Sequence, residues 1–224
     1  MKILLCSATI YETAATVEYL QQHFLQKSFS EFVKNDLTVV PFVSGVGSPM
    51  MAFALGRLLD SASFQLAIHA GINGSYTEKF KLGEVVEVIT ECWGDLGAED
   101  NDGKLLDVFD LELCSDDQYP FQSKLLEKKF NPIQTPFEKV HGVTVNKVNG
   151  TKTSIDLVKK KYNRDVESME GAAFFYACRM LDLPFISIRS ISNYVVPRNR
   201  ETWEIPLAIK NLNESLIQLI KRLE

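Results

Sequence analysis

Two glutamates and an asparagine lie where predicted strands end or predicted helices begin, and side chains at such positions can reach a bound molecule. Glu12 follows the first apolar run, Glu170 begins a predicted helix beside Met169, and Asn193 follows the last apolar run beside Ser192. A carboxylate in a cleft can activate water as a general base. A second carboxylate can accept hydrogen bonds from two neighbouring hydroxyls. An amide can donate to and accept from the edge of a heterocycle, but it is not a useful proton donor.

Each of these positions also has a purely structural interpretation. Glu170 can complement the dipole of the helix that it begins, and Glu12 can be a surface residue at a helix start. Ser192 and Asn193 are common turn residues. Around Glu170, however, Ser168 can cap the helix, and the small residues that follow leave room for a ligand over the first turn.

Apolar runs of strand length alternate with segments of helical period along the chain. The runs typical of buried strands are Ile3–Cys6, Val39–Val43, Leu66–His69, Val85–Ile89 and Phe185–Ile188. The segments typical of helices are Thr13–Phe29, Pro49–Leu59, Lys152–Tyr162, Glu170–Leu181 and an amphipathic C-terminal helix over Ile205–Leu223. This alternation predicts an α/β fold in one domain over residues 1–224, a three-layer α-β-α arrangement around a mostly parallel (mixed) sheet.

The segment Asn101–Gln134 interrupts this alternation. It is rich in Asp and contains Pro120 and Pro132. We expect a long excursion here, with one helix over Ser123–Phe130 and no separate domain.

Composition and charge argue against several classes of protein. With 224 residues, 46% of them hydrophobic and 24% charged, the chain suits one substantial globular core. A net charge of -5 without a Lys/Arg stripe argues against nucleic-acid binding, and no apolar run approaches membrane-spanning length. The cysteines form no C-x-x-C pair and the histidines have no suggestive spacing, so neither a disulfide framework nor a metal site is expected. Without a secretory signal, these features indicate the cytoplasm.

Several motifs, taken in order along the chain, resemble those of the nucleoside phosphorylase and nucleosidase superfamily. They are Glu12 after the first strand, A-G-I-N-G at 70–74, V-N-G-T at 148–151, S-M-E-G-A-A at 168–173 and R-S-I-S-N at 189–193. Within the superfamily, the chain is most similar to the futalosine hydrolases. The segments that carry this likeness are W-G-D-L-G-A-E-D at 93–100, G-V-T-V-N at 142–146 and S-N-Y-V-V-P-R-N-R-E-T-W at 192–203.

The resemblance implies roles for the matched residues. Glu12 matches the glutamate that activates water for attack at the anomeric carbon in related nucleosidases. Glu170 matches the glutamate that holds the ribose hydroxyls, and Met169 matches a methionine that packs on the sugar. The backbone of Val148 is expected at the edge of the base, and Asn146 is expected near the substrate. Ser168 and Ser192, beside these positions, complete the expected substrate-binding set.

Position 193 departs from the pattern of the adenine-releasing nucleosidases, which carry an aspartate there that helps to protonate purine N7. Asn193 can instead accept from N7–H while it donates to a 6-oxo group, which suits catalytic recognition of hypoxanthine. The source of the proton stays open, with solvent as one possibility. At position 72, where nucleosidases often have serine, the chain has Ile72, which puts the positioning of water from that side in doubt.

The resemblance also bears on the reaction type and on the 5′ side of the substrate. Phosphorylases of the superfamily use arginines on early loops to hold phosphate, and the corresponding segments here contain none, which favours hydrolysis. Futalosine carries a benzoate, for which Arg198, Arg200 and Lys147 are candidate cations. Both arginines could equally pair with Glu201 or Glu204.

The expected activity is hydrolysis of futalosine to hypoxanthine and dehypoxanthinyl futalosine in menaquinone biosynthesis, without cofactor or metal. One rival is a nucleosidase for aminodeoxyfutalosine, methylthioadenosine or adenosylhomocysteine that releases adenine. Another is a non-catalytic nucleoside-binding protein, against which Glu12 argues. Because members of this superfamily usually assemble, we expect a homodimer or a larger homo-oligomer, in which Asn101–Gln134 could form part of a neighbour's site.

Overall fold

The computed structural model describes residues 1–128 and 133–224. The strands are β1 Lys2–Ser7, β2 Leu25–Ser28, β3 Glu31–Lys34, β4 Leu37–Val43, β5 Leu66–Ser75, β6 Val85–Glu91, β7 Gly97–Glu99, β8 Leu105–Asp107, β9 Leu126–Glu127, β10 Glu138–Thr144, β11 Val166–Ser168 and β12 Phe185–Tyr194. The helices are α1 Ile10–His23, α2 Ser48–Ser61, α3 Lys152–Tyr162, α4 Gly171–Met180 and α5 Ile205–Leu223, with a short 3-10 helix over Arg200–Thr202.

A ten-stranded mixed sheet organises the described residues, and β7 pairs with β8 in a separate two-stranded sheet. The order of the ten-stranded sheet is β11-β10-β6-β12-β5-β1-β4-β3-β2, with β9 paired to β6. The central strands β12, β5, β1 and β4 run parallel, and β6 runs antiparallel to β12. β11 pairs with β5 as well as with β10, so these strands and β6 and β12 form a closed ring. The carboxyl ends of the central strands therefore meet at one edge of the sheet.

Helices cover both faces of the sheet, because successive side chains of a strand point to opposite sides. In β1, Ile3 and Leu5 pack in a cluster with α1 and α5, whereas Leu4 and Cys6 pack in a cluster with α2 and α4. Burial on both faces accounts for the continuous apolar runs of the parallel strands. The predicted three-layer α/β fold with a mixed sheet is confirmed.

The predicted helix over Thr13–Phe29 was wrong at both ends. α1 begins at Ile10 because Thr9 is extended and forms a capping box with Glu12. It ends at His23, where Phe24 adopts an extended conformation. Strand β2 follows, and all of its residues are exposed, so no burial period distinguished it from a helix.

The predicted helix over Ser123–Phe130 was also wrong where the structure describes it. Ser123 and Lys124 have φ angles of 49° and 69°, which a right-handed helix cannot accommodate. They form a tight turn, and β9 then pairs with β6. Phe130 lies outside the described residues. No helix among the described residues is long and apolar enough to cross a membrane.

Candidate active site

Glu12 is buried at the third helical position of α1, next to the carboxyl ends of β1 and β5. Its Oε2 accepts a hydrogen bond from the backbone N–H of Thr9 at 2.8 Å. Its Oε1 accepts from the backbone N–H of Ile72 at 3.3 Å, although position 72 has no serine hydroxyl. The capping box thus fixes one oxygen of the carboxylate, and the other is directed toward the end of β5.

Arg189 of β12 is 0% exposed, and its guanidinium and the Glu12 carboxylate both lie against Gly71. Its Nη2 is 2.9 Å from Nε2 of His69, while Nε and Nη1 have no hydrogen-bond partner in the described part of the chain. Burial and the neighbouring guanidinium lower the pKa of His69 well below its usual value, so the imidazole is neutral. The sequence analysis included Arg189 in the R-S-I-S-N motif but gave it no role of its own. An arginine within an apolar strand was the available signal.

Gly71 of β5 is the position that lets Arg189 and Glu12 approach each other. A β-carbon on Gly71 would clash with Nη1 of Arg189 and would lie 2.9 Å from Oε1 of Glu12. Both polar groups therefore occupy the space that any other side chain would need. The need for this space explains why the first glycine of the A-G-I-N-G segment has no side chain.

Gly71→Ala is expected to lower turnover by at least about tenfold. The added methyl group displaces the guanidinium of Arg189 or the carboxylate of Glu12, and catalysis depends on the accurate positioning of such groups. Steady-state assay with a nucleoside substrate measures this effect. Gly56→Ala is the matched control. A β-carbon on Gly56 of α2 meets nothing within 4 Å, and alanine favours a helix by about 1 kcal/mol over glycine. Equal activity of the two variants would contradict the proposed crowding.

Glu170 is buried at the N-cap of α4, and its Oε1 accepts a hydrogen bond from the backbone N–H of Gly47 at 2.7 Å. Gly47 has a φ of 93°, which suits glycine and directs its N–H toward the carboxylate. Burial raises the pKa of Glu170, Arg189 and the Gly47 N–H lower it, and Glu12 raises it further. Two carboxylates, both under the influence of one buried guanidinium, thus form the anionic part of the site.

Met169 and Ser168 connect Glu170 to its surroundings. Met169 is half-buried, and its carbonyl accepts from Oγ of Ser48 at 3.2 Å, which joins the starts of α2 and α4. Oγ of Ser168 accepts from the backbone N–H of Gly171 at 3.2 Å. Ser168 therefore supports the first turn of α4, but Glu170, and not the predicted Ser168, holds the N-cap position.

Asn146 lies beside the start of α2 rather than deep in the site. Its backbone N–H and Nδ2 donate to the carboxylate of Asp95, at 2.6 and 3.2 Å, and its Oδ1 accepts from the N–H of Ser48 at 3.2 Å. Two of the segments that resemble futalosine hydrolases, around Asp95 and Asn146, are thus in direct contact. Their position next to Gly47 allows them to set the geometry of the Glu170 carboxylate.

Asn193, near the end of β12, lines a narrow cavity. The lining residues that matter here are Val148, Glu167, Asn193, Tyr194, Arg198 and Trp203. Oδ1 of Asn193 is 2.8 Å from Oγ of Ser192, and its Nδ2 donates to the carbonyl of Tyr194 at 3.2 Å. A register shift between Ile191 and Asn193 directs the amide toward this cavity. The structure thus brings Val148, Ser192, Asn193 and Arg198 to one place.

The arginines after Asn193 stack on an aromatic ring. The guanidinium carbons of Arg198 and Arg200 lie 5.1 and 5.7 Å from the ring centre of Trp203. Among the described residues, neither arginine forms an ion pair with Glu201 or Glu204. Lys147, the third candidate cation, is exposed.

Glu91 is a buried carboxyl that the sequence interpretation passed over. It lies beneath the first turn of α4, where β-carbons on Gly142 or Gly171 would overlap it. Thr144 Oγ1 donates to its Oε2 at 3.0 Å and accepts from the N–H of Ala172. Burial raises the pKa of Glu91 to about 8, so it is largely protonated at neutral pH. Its position supports the helix start that carries Glu170.

A larger cleft, of about 670 Å³, lies away from these groups and against the excursion. Trp93, Phe109 and Tyr162 line it together with Lys161, which pairs with Asp107 at 3.2 Å. Neither Glu12, Glu170 nor Asn193 contributes to it, so its size does not make it the centre of the chemistry. The described residues contain no group of three or more His, Cys, Asp or Glu side chains suited to a metal ion.

Comparisons with known proteins agree with a nucleoside site. The family model of the Phosphorylase superfamily matches residues 2–223, and the chain therefore belongs to this superfamily. It is 29% identical over 167 residues to a futalosine hydrolase from Streptomyces coelicolor, covering 74% of this chain and 69% of that protein. It is 28% identical over 224 residues to a futalosine hydrolase from Acidothermus cellulolyticus, covering 98% and 90%.

A solved structure supports the fold assignment. The chain aligns with the 5'-methylthioadenosine/S-adenosylhomocysteine nucleosidase from S. pneumoniae, solved with a transition-state inhibitor, at a TM-score of 0.73. The alignment covers 100% of both chains, with 20% sequence identity. The shared architecture is the one built here around β12, β5, β1 and β4.

Proposed function

We propose that this protein hydrolyses the N-glycosidic bond of futalosine and releases hypoxanthine and dehypoxanthinyl futalosine. The observation that carries the proposal is the arrangement of Glu12, Arg189 and Glu170 at one end of the sheet, with Asn193 four residues beyond Arg189 on the same strand, β12. Its similarity to two futalosine hydrolases supports the choice of substrate. The whole of residues 1–224 acts as one nucleoside phosphorylase-like domain in this proposal.

In the proposed reaction, Glu12 takes a proton from water as the water oxygen attacks the anomeric carbon. Glu170 accepts hydrogen bonds from the ribose hydroxyls, and Met169 packs on the sugar. The carboxylates of Glu12 and Glu170 stabilise positive charge that develops on the sugar. Nη1 of Arg189, which has no protein partner among the described residues, can orient the water. No cofactor or metal takes part.

On the base side, the proposal assigns recognition of the purine to Asn193 and the backbone of Val148. A free N–H of the asparagine amide can donate to a 6-oxo group, and its oxygen can accept from N7–H. Arg198, at the same cavity, is the candidate cation for the benzoate. Asn146 and Ser168 position the Glu170 carboxylate, and Ser192 orients Asn193.

The substrate assignment is tested by comparing futalosine with its 6-amino analogue. We expect hypoxanthine release from futalosine to have the higher kcat/KM, and Asn193→Asp to shift the ratio toward adenine release because an aspartate can donate to N7 when protonated. Faster adenine release by the wild-type protein would establish the adenine-releasing nucleosidase instead. Binding of both compounds without turnover would establish a nucleoside-binding protein.

We further propose that the enzyme acts in menaquinone biosynthesis in the cytoplasm as a homodimer or a larger homo-oligomer. All four cysteines are free thiols, which suits a reducing compartment. The packed pair α2 and α4 exposes Met50, Phe53, Tyr176 and Met180, an apolar surface that suits contact with a second copy. The excursion Asn101–Gln134 is the proposed contribution to a neighbouring active site.

A further inference from the structure

The departing purine needs a proton that Asn193 cannot supply. When the bond from the anomeric carbon to N9 breaks, the base leaves with an electron pair, and protonation at N7 makes it a neutral leaving group. An amide does not donate a proton at useful acidity. A residue at the same cavity could do so, and the cavity beside Asn193 has few ionisable side chains.

Among the described residues that line this cavity, one carboxyl remains as a possible proton donor. Arg198 stays protonated at any working pH. The hydroxyl of Tyr194 donates to the carbonyl of Phe80 at 3.1 Å and is therefore engaged. Glu167 of β11 is the remaining ionisable group that lines this cavity.

The sheet places Glu167 and Asn193 on the same side, across a glycine. Glu167 pairs directly with Gly74 of β5, and Gly74 pairs directly with Asn193 of β12. Directly paired residues of neighbouring strands point to the same face of a sheet. A β-carbon on Gly74 would lie 3.1 Å from Nδ2 of Asn193 and 2.8 Å from Cγ2 of Val195. The missing side chain at Gly74 leaves this space to Asn193 and Val195, and Glu167 lines the same cavity as both of them.

The surroundings of Glu167 favour its protonated form. The side chain is 4% exposed, and burial raises its pKa. The hydroxyl of Tyr76 donates to Oε2 at 2.5 Å and lowers the pKa, whereas the charge of Asp95 raises it. Oε1 has no partner in the described part of the chain. Among the described residues, Tyr76 and Asp95 are the groups that shift this pKa, and Arg198 is the charged residue that lines the same cavity.

We propose that Glu167 is the general acid that protonates the leaving purine, directly or through one water in the cavity. This inference rests on the proposed nucleosidase function. Water gives its hydroxide to the anomeric carbon and its proton to Glu12, while the proton of Glu167 passes to N7 and the bond to N9 breaks. After the products leave, Glu12 releases its proton to solvent and Glu167 takes one up. Protons and charge therefore balance over a turnover without any further reactant.

The test is Glu167→Gln, assayed on two substrates. Glutamine keeps the volume and an acceptor for Tyr76 but has no acidic proton. On futalosine we expect kcat to fall by about 100-fold or more, the usual scale of general-acid catalysis, with KM changed by less than about threefold. On 4-nitrophenyl riboside, whose leaving group departs without a proton, the variant should stay within about threefold of the wild type. Glu12→Gln should fail on both substrates.

The pH dependence provides a second readout that a structural role would not change. The folded-state pKa of Glu167 is raised, so its proton, and with it kcat, is lost as pH rises through that value. Glu167→Gln should lack this alkaline limb. Tyr76→Phe should move it to higher pH, because the lost hydrogen bond favoured the ionised form.

The outcomes separate this inference from the proposed function. An unchanged kcat on futalosine, or equal losses on both substrates, would overturn the general-acid role of Glu167. A wild-type protein that releases no base from futalosine or its 6-amino analogue would overturn the function itself. If the wild type and Glu167→Gln are both fully active, the proposed nucleosidase function stands and only the general-acid role of Glu167 is rejected.

Discussion

Glu12→Gln is expected to lower the turnover of futalosine by about 10²- to 10⁴-fold, which is the range for loss of a general base. Glutamine can keep the hydrogen bond from the N–H of Thr9, so α1 should still begin at Ile10. It cannot take a proton from water. Hypoxanthine release gives kcat, and calorimetric titration with futalosine gives the dissociation constant, which should change by less than about tenfold.

Glu18→Gln provides the matched control for this substitution. Glu18 lies on the same helix, is exposed, and accepts a side-chain hydrogen bond from Gln22. The same change of charge at this position should leave turnover within about twofold, because surface substitutions of this kind have small effects. If Glu12→Gln released hypoxanthine at the wild-type rate, the base would have to be sought elsewhere.

The strands of the parallel core were predictable because burial on both faces leaves a continuous apolar signal, as in Ile3–Cys6. The segment after α1 was not. Strand β2 exposes every residue and is held by pairing with β3, so its conformation depends on a neighbour rather than on its own pattern. Local propensity therefore extended the predicted helix through it. The turn at Ser123 and Lys124 was missed for a related reason, since neither serine nor lysine is a residue type that favours a positive φ.

The residues of the candidate site also divide into those that the sequence predicted and those that it did not. Glu12, Glu170 and Asn193 stand at element ends, where sequence order alone predicts that side chains reach a common edge. Arg189 and Glu167 lie within strands, and their importance depends on two glycines in β5 that leave room for them. No spacing rule connects Gly71 to Arg189 or Gly74 to Glu167, because each pair meets through strand pairing across a long stretch of chain. A charged residue in an otherwise buried strand is the signal that could have found them.

Glu170→Gln is expected to lower kcat/KM for futalosine by about 10²- to 10⁴-fold. Hydrogen bonds to a charged group contribute about 1.5 to 3 kcal/mol each, and two ribose hydroxyls would lose them. Glutamine keeps an oxygen that can accept from the N–H of Gly47, so the loop before α2 should hold its conformation. The thermal unfolding midpoint of the variant, compared with that of the wild type, measures whether this holds.

A 2′-deoxy analogue of futalosine distinguishes a ribose clamp from a general disturbance of the site. If Glu170 binds the 2′-hydroxyl, the wild type should prefer futalosine over the analogue by about 10- to 100-fold, and Glu170→Gln should lose most of that preference. Removal of the 2′-hydroxyl and the substitution Glu170→Gln abolish the same interaction, so their combined effect on kcat/KM should be smaller than the product of their separate effects. Fully multiplicative losses would show that Glu170 acts elsewhere, and its hydrogen bond to Gly47 would then be its principal role.

Because Glu170 is buried beside Glu12 and Arg189, its raised pKa also predicts that kcat/KM declines as pH falls through that value, and that this acid limb is altered in the variant.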